Sequence, residues 1–287
     1  MGPLSLDGAF WRRAARFGAR GPEWFARYSP PVIGVVICAL ASEHRRIVTR
    51  NLRRVRGSRG WLGDAADVAR TFATYASCLS EVLGDDPTPG RRVRASCWGE
   101  RHVEQALSRG RGAIFATAHT AGWDMVGRVV ARDKGLRVMV AEAPERDASV
   151  RAIQDEVRRG HGVAVAHVGG DPLSALPLVR HLRGGGIVAL QVDRSPPGQR
   201  GRRVTMFGET TKVPEGPLRL AALTGAPIVP IFAARTGHRR YKVVADPPIV
   251  IARSASDVDL DAAAQQMANA VQDFVREHPT QWFHFVA

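Results

Sequence analysis

Two kinds of hydrophobic pattern divide this chain. Up to about residue 85, apolar and aromatic side chains recur at helical spacing among arginines. Phe10, Trp11, Phe17, Trp24, Phe25 and Tyr28 supply one apolar face. Ser42 is placed to cap a helix in which Ile47, Asn51, Leu52 and Val55 share a side. A further helix is expected from Asp64 to Gly84, followed by an Asp/Pro/Gly loop over 85–90.

From residue 91 short apolar runs alternate with amphipathic stretches. The pattern predicts a short helix over 99–107, a strand over 113–118 and a helix over 122–133. A strand over 136–141, a helix over 147–159 and a strand over 162–168 follow. A helix kinked or restarted at Pro177, a strand over 186–193, a helix over 213–225 and strands over 226–235 and 239–251 come next. The last helix is expected over 260–277. Such alternation predicts an α/β fold: a mixed, largely parallel sheet flanked by helices, with a site at the carboxyl ends of the strands. Residues 1–90 read as an N-terminal helical subdomain that docks on a membrane, and 91–287 as the α/β core. No linker is long enough to demand separation, so the two are expected to be continuous.

Composition narrows the function classes. The 287 residues carry 41 basic and 27 acidic side chains, a net charge of +14. Lys134, Lys212 and Lys242 are the lysines, so the positive charge is mostly arginine. Arginine enrichment fits a GC-rich genome, and it also fits an anionic partner such as a membrane surface, an acidic carrier protein or phosphate groups. Cys38, Cys78 and Cys97 lie far apart, with no zinc-ligand spacing and an odd count, which speaks against a disulfide framework or a metal site. The longest apolar stretch, 30–41, is too short to cross a bilayer and is entered through Pro30-Pro31. A basic, partly apolar helical region packed on the core or lying on a membrane surface is expected there. No nucleic-acid motif is present.

The candidate chemistry begins where the strand over 113–118 ends. His119 follows it, and Asp124 falls in the first turn of the next helix. A carboxylate there can hold the imidazole in one tautomer and poise it as a base. A helix capped by Thr120, with His119 only a polar strand end, explains the same spacing. Asp193-Arg194 end a second strand before a Pro/Gly loop. Arg200, Arg202, Arg203, Phe207-Gly208 and Pro214-Glu215-Gly216-Pro217 follow. Arginines near a helix N-terminus suit phosphate or carboxylate recognition. A solvated loop accounts for the arginines equally, and complementarity to the helix dipole accounts for Glu215.

The stretches around His119, from Leu190 through Phe232, and from Arg276 to Phe285 resemble the late lipid A acyltransferases and related bacterial glycolipid acyltransferases, within the wider lysophospholipid acyltransferase superfamily. The likeness runs from about residue 40 to the end, in order. It implies a glycerolipid acyltransferase-like fold and acyl transfer from a thioester, on acyl carrier protein or coenzyme A, to a hydroxyl of a lipid or glycolipid. By that resemblance His119 matches the general base and Asp124 its acidic partner. Asp193, Arg194, Arg202, Arg203, Phe207, Gly208, Glu215 and Gly216 fall around the substrates. It implies no cofactor, no metal, no covalent acyl-enzyme and no nucleic acid. The expected location is peripheral, on an anionic membrane at the cytoplasmic face of a bacterial inner membrane. Gly122 and Asp124 stand where many lipid A members carry Asn and Glu, so the acceptor is open between lipid A and another glycolipid. A glycerolipid or lysophospholipid acyltransferase, whose motif more often begins Asn-His, and a non-catalytic basic membrane-binding relative are the rival readings.

Overall fold

The computed structural model describes residues 18–85, 92–143, 148–169, 172–195 and 198–286. The expectations for the arginine-rich start up to Phe17, for the loop over 86–90 and for Pro196-Pro197 lie outside them. From Glu23 three helices run in succession: α1 (Glu23–Leu40), α2 (Ser42–Arg56) and α3 (Gly60–Leu83). The α/β part then runs β1 (Arg94–Trp98), α4 (Glu100–Leu107), β2 (Ala113–Thr117), α5 (Trp123–Lys134), β3 (Val138–Glu142), α6 (Ala148–Gly160) and β4 (Val163–His167). It continues with α7 (Leu176–Arg183), β5 (Ile187–Gln191), a hairpin β6 (Gly201–Met206) and β7 (Glu209–Pro214), α8 (Gly216–Thr224), β8 (Ile228–Gly237), β9 (Arg240–Ala245) and α9 (Asp257–Glu277).

Seven strands form one sheet in the order β1-β9-β8-β2-β5-β3-β4. Every neighbouring pair is parallel except β8 with β9. The alternation of strands and helices thus gives the mixed, largely parallel sheet expected of it. β2 lies at its centre and every one of its residues is buried. A continuous apolar run, rather than an alternating one, is what a strand covered by helices on both faces requires. α9 begins with a capping box between Ser256 and Asp259 and stacks Phe274 on Phe232 of β8.

α1 and α3 cross closely. A Cβ on Gly34 would come within 2.5 Å of the Phe72 carbonyl oxygen, so only glycine permits this approach. α3 is fastened to the sheet by buried charge: Glu81 accepts from Tyr241 Oη at 2.6 Å and from Arg235 Nη2 at 2.7 Å. No single helix among the described residues is long and apolar enough to cross a membrane, although α1 and α2 together, bent by 100°, pass that test of length and composition.

The sequence-based boundaries shift in places, each for a physical reason. α1 continues through Pro30 and Pro31, and Pro30 is buried. α3 starts at Gly60, because Asp64 does not cap it; its carboxylate reaches back to the Arg59 N–H, Ser58 and Arg53. β1, unforeseen, is a half-exposed edge strand that gains its register only by pairing with β9. The arginine-bearing stretch from Arg200, for which a solvated loop is one reading, folds as the hairpin β6–β7, turning at Phe207 (φ 53°) and Gly208 (φ 80°). Positive φ at both central residues suits a tight hairpin turn. Val213 and Pro214 therefore belong to a strand, and α8 begins at Gly216. The expected strand over 239–251 ends at Ala245.

Candidate active site

His119 and Asp193 leave the sheet side by side. β2 and β5 are parallel neighbours, with Thr117 opposite Gln191, so the residues just past them emerge at the same edge. His119 Nδ1 lies 2.7 Å from Asp193 Oδ1, and the Trp282 indole N–H donates to Asp193 Oδ2 at 2.9 Å. Arg194 Nη2 lies 2.8 Å from His119 Nε2. A carboxylate accepts and a guanidinium donates, so the network assigns the tautomer: Nδ1 carries the proton and Nε2 presents its lone pair. Burial alone would raise the Asp193 carboxyl. The electrostatic pull and hydrogen bond of the His119 ring, with the Trp282 donor, hold it below the usual carboxylate range.

Asp124 is elsewhere. Among the described residues it makes no hydrogen bond or ion pair with His119. Its Oδ1 takes Arg158 Nε at 3.1 Å, and Arg158 Nη1 also reaches Glu142 Oε1 at 2.6 Å. Burial would lower Arg158, but Asp124 and Glu142 raise it above its ordinary value, so the guanidinium stays charged. It stacks over Trp123, 5.3 Å from the ring centroid, and the other neighbour of that ring is His119, at 6.4 Å. Asp124 is paired with Arg158, and the carboxylate hydrogen-bonded to the imidazole is Asp193. Gly122 takes a left-handed φ of 75° in the turn over 121–122, and α5 follows from Trp123. A Cβ there would come within 2.4 Å of Tyr241, so the Asn of many lipid A members does not fit this backbone.

The C-terminal segment closes the site. Phe283 N–H donates to His119 O at 2.7 Å and Ala121 N–H to Gln281 O at 2.9 Å. His284 lies behind, with Asn51 of α2 donating to its carbonyl at 2.8 Å, and burial pushes its imidazole down to about 4. Trp282, His284, Asn51, Arg158 and Glu142 were not foreseen. The available signal was the density of aromatic and histidine residues in 278–285, high for a chain end.

The remaining candidates divide. Phe207 packs 5.5 Å from Trp282 and so borders the site, with Gly208 exposed beside it. Arg202 is absorbed by structure: it bonds Glu215 at 2.7 Å, Asp261 at 2.7 Å and Asp257, pinning the hairpin to α8 and α9. Glu215 is consumed by the same knot and by Arg219. Arg203 and Gly216 are exposed. Arg202 and Glu215 Oε1 are thus engaged in one ion-pair knot that joins the hairpin to α8 and α9.

A narrow crevice with about 20 Å³ of open volume runs beneath α5, walled by Phe115, Val126, Val140 and Ile231, with Thr117, Asp124, Glu142 and Gln191 among its polar lining. Thr117 Oγ1 and Gln191 Nε2, on paired residues at the ends of β2 and β5, are buried without a hydrogen-bond partner among the described residues. Glu142, Asp155 and His167 place possible metal-ligand atoms within 4.8 Å of one another. Arg158 and Arg159 already neutralise the two carboxylates, which reads as an ion-pair network.

Over 185 residues, 64% of this chain, the sequence is 30% identical to the phosphatidylinositol mannoside acyltransferases of Mycobacterium tuberculosis strains CDC 1551 / Oshkosh and H37Rv. It is 29% identical over 182 residues to that of Mycolicibacterium smegmatis. The matched stretches span 56% and 58% of these relatives, so the chain covers a little over half their length. The family model for bacterial lipid A biosynthesis acyltransferases matches residues 19–287, and the chain belongs to that family.

Proposed function

We propose that this protein transfers a fatty acyl group from a thioester, on acyl carrier protein or coenzyme A, to a hydroxyl of a membrane glycolipid. The observation that carries the reading is the oriented imidazole: Asp193 fixes the Nδ1 proton, so the Nε2 lone pair is aimed where an acceptor hydroxyl would lie. The acceptor hydroxyl displaces Arg194 from Nε2, gives its proton to Nε2 and attacks the thioester carbonyl. The tetrahedral oxyanion collapses, the thiolate leaves, and the imidazolium returns a proton to it. The transfer is direct in this scheme, without an acyl-enzyme; among the described residues no serine or cysteine is hydrogen-bonded to the His119 ring.

Arg194 is the oxyanion donor in this scheme. The backbone N–H groups of Thr120, Ala121 and Trp123, the other candidates, already donate within the protein, to Ala118, Gln281 and Thr120. A guanidinium displaced from Nε2 by the acceptor stays within reach of the developing charge. A sugar hydroxyl of a mannosylated phospholipid is favoured over lipid A as acceptor by the mycobacterial relatives. The enzyme works peripherally, at the cytoplasmic face of the inner membrane, where both substrates are presented.

The test is transfer of a labelled acyl group from acyl carrier protein and from coenzyme A onto extracted membrane glycolipids, read by mass spectrometry. His119→Ala should lose about 10²–10⁴-fold in rate with its folding intact. Transfer at the wild-type rate by folded His119→Ala sinks the mechanism; product on neither donor sinks the activity.

A further inference from the structure

A groove of about 840 Å³ lies between α1, α2 and α3, away from His119. Its apolar lining comes from Val35, Cys38, Val68 and Trp61; its basic lining from Arg45, Arg46, Arg50 and Arg53. Two of these arginines have structural work. Arg45 Nη1 takes the Cys38 and Ala39 carbonyls at the end of α1, and Arg53 Nε takes Asp64, the one acidic residue in the lining, at 2.7 Å. Arg46 and Arg50, one turn apart, are exposed and have no partner among the described residues. Beside them Trp61 is 77% exposed and Val35 47%. Unpaired guanidinium groups over an apolar floor with an exposed indole at the edge match a phosphate attached to a hydrocarbon body.

We propose that this groove binds the phosphate headgroups of anionic phospholipids at a bilayer surface, with Arg46 and Arg50 as the phosphate ligands. The proposal builds on the membrane-surface reading above and gives it an address and a charge preference. An acidic carrier protein would also meet the arginines, but it gives no use to the exposed Trp61, Val35 and neighbouring Leu62. Continuity with the site supports the lipid. α2 carries Arg46 and Arg50 on the groove side, while Asn51 holds His284 and Arg54 donates to Met206 O and covers the Phe207 ring. A helix is about 10 Å thick, so lipid bound on one side lies roughly one helix diameter from the candidate acceptor side.

The test uses the full chain and no acyl donor, so it reads independently of catalysis. Co-sedimentation is measured with phosphatidylcholine vesicles, with and without phosphatidylglycerol. Wild type should prefer the anionic vesicles, and the preference should fall with salt. Arg46→Gln/Arg50→Gln should weaken partition onto anionic vesicles roughly thirtyfold and leave neutral vesicles unaffected. Trp61→Ser should weaken both. Circular dichroism checks folding, and both changes are at exposed positions. Two results overturn the proposal: equal wild-type binding to both vesicles, or a double variant that binds as wild type. Saturable binding of inorganic phosphate at Arg46 and Arg50 without vesicle binding also overturns it, as a site for a soluble anion. Failure of acyl transfer with vesicle binding as expected would count against the activity and leave this site standing.

Discussion

Asp193 and Asp124 both lie next to a strand end or helix start near His119, yet they do different work. Asp193 is buried and faces a histidine and an indole, two neutral or titratable donors that need a fixed acceptor. Asp124 is only partly buried and faces Arg158, which is always charged and shared with Glu142. An imidazole needs one acceptor at one nitrogen to settle its tautomer. A buried guanidinium shared between two carboxylates has its charge compensated in a low-dielectric site. The difference teaches that a carboxylate's job is set by the donor that reaches it, and sequence proximity does not choose that donor.

The sharpest way to break the contrast is Asp193→Asn. With Trp282 donating to the amide oxygen, the amide NH₂ turns to His119 Nδ1 and drives the proton to Nε2. The base is then in the wrong tautomer, and kcat should fall by about 10²–10⁴-fold with KM little changed. Steady-state transfer kinetics on protein of unchanged Tm check this. A loss below tenfold would mean that Asp193 does not orient the ring.

The next effect is on stability and belongs to the Asp193 side alone. The folded His284 imidazole sits at about 4, below the unfolded value of about 6.5. Between those values the unfolded chain binds a proton that the folded one refuses, so stability rises with pH. The contribution is complete above about pH 6.5 and is lost as pH falls toward about 4, by about 2–4 kcal/mol. The Asp193 carboxyl, held low, adds to the acid sensitivity only as pH falls below the ordinary carboxylate range. Urea titrations across this range should show the slope in wild type and a flatter one in His284→Asn.

The smallest effect is expected at the residue the spacing singled out. Asp124→Asn leaves Arg158 paired with Glu142. It should cost about 1–2 kcal/mol of stability and less than about tenfold in kcat. Denaturation and kinetics on the same preparation measure both. A kcat loss equal to that of Asp193→Asn would put Asp124 in the proton path and erase the distinction between the two carboxylates.

Much of the architecture was legible because its signals are local. The apolar run of β2, the glycine that ends α8 and the basic, aromatic character of α1 and α2 each sit within a few neighbouring residues. The hairpin β6–β7 was not legible. Its outward face carries Arg203 and Thr205, and only packing against α9, where Gln265 pairs with Thr205, reveals a strand. The edge strand β1 was missed for the same reason, since its partner β9 lies far along the chain. The ion pairs of Arg202 were not legible because its carboxylate partners lie thirteen to fifty-nine residues away.

By itself, the sequence determined the layered class, the position of His119 at a strand end, and the excess of positive charge. Periodicity, strand-end placement and composition are properties of short windows, and short windows are what a linear text holds. Only the tertiary structure decided that Asp193 serves the histidine, that Asp124 serves Arg158, that Trp282 returns to close the site, and that Arg46 and Arg50 have no partner among the described residues. Each of these depends on which distant donor meets which acceptor, and that is settled when the parallel strands align and bury the alternatives.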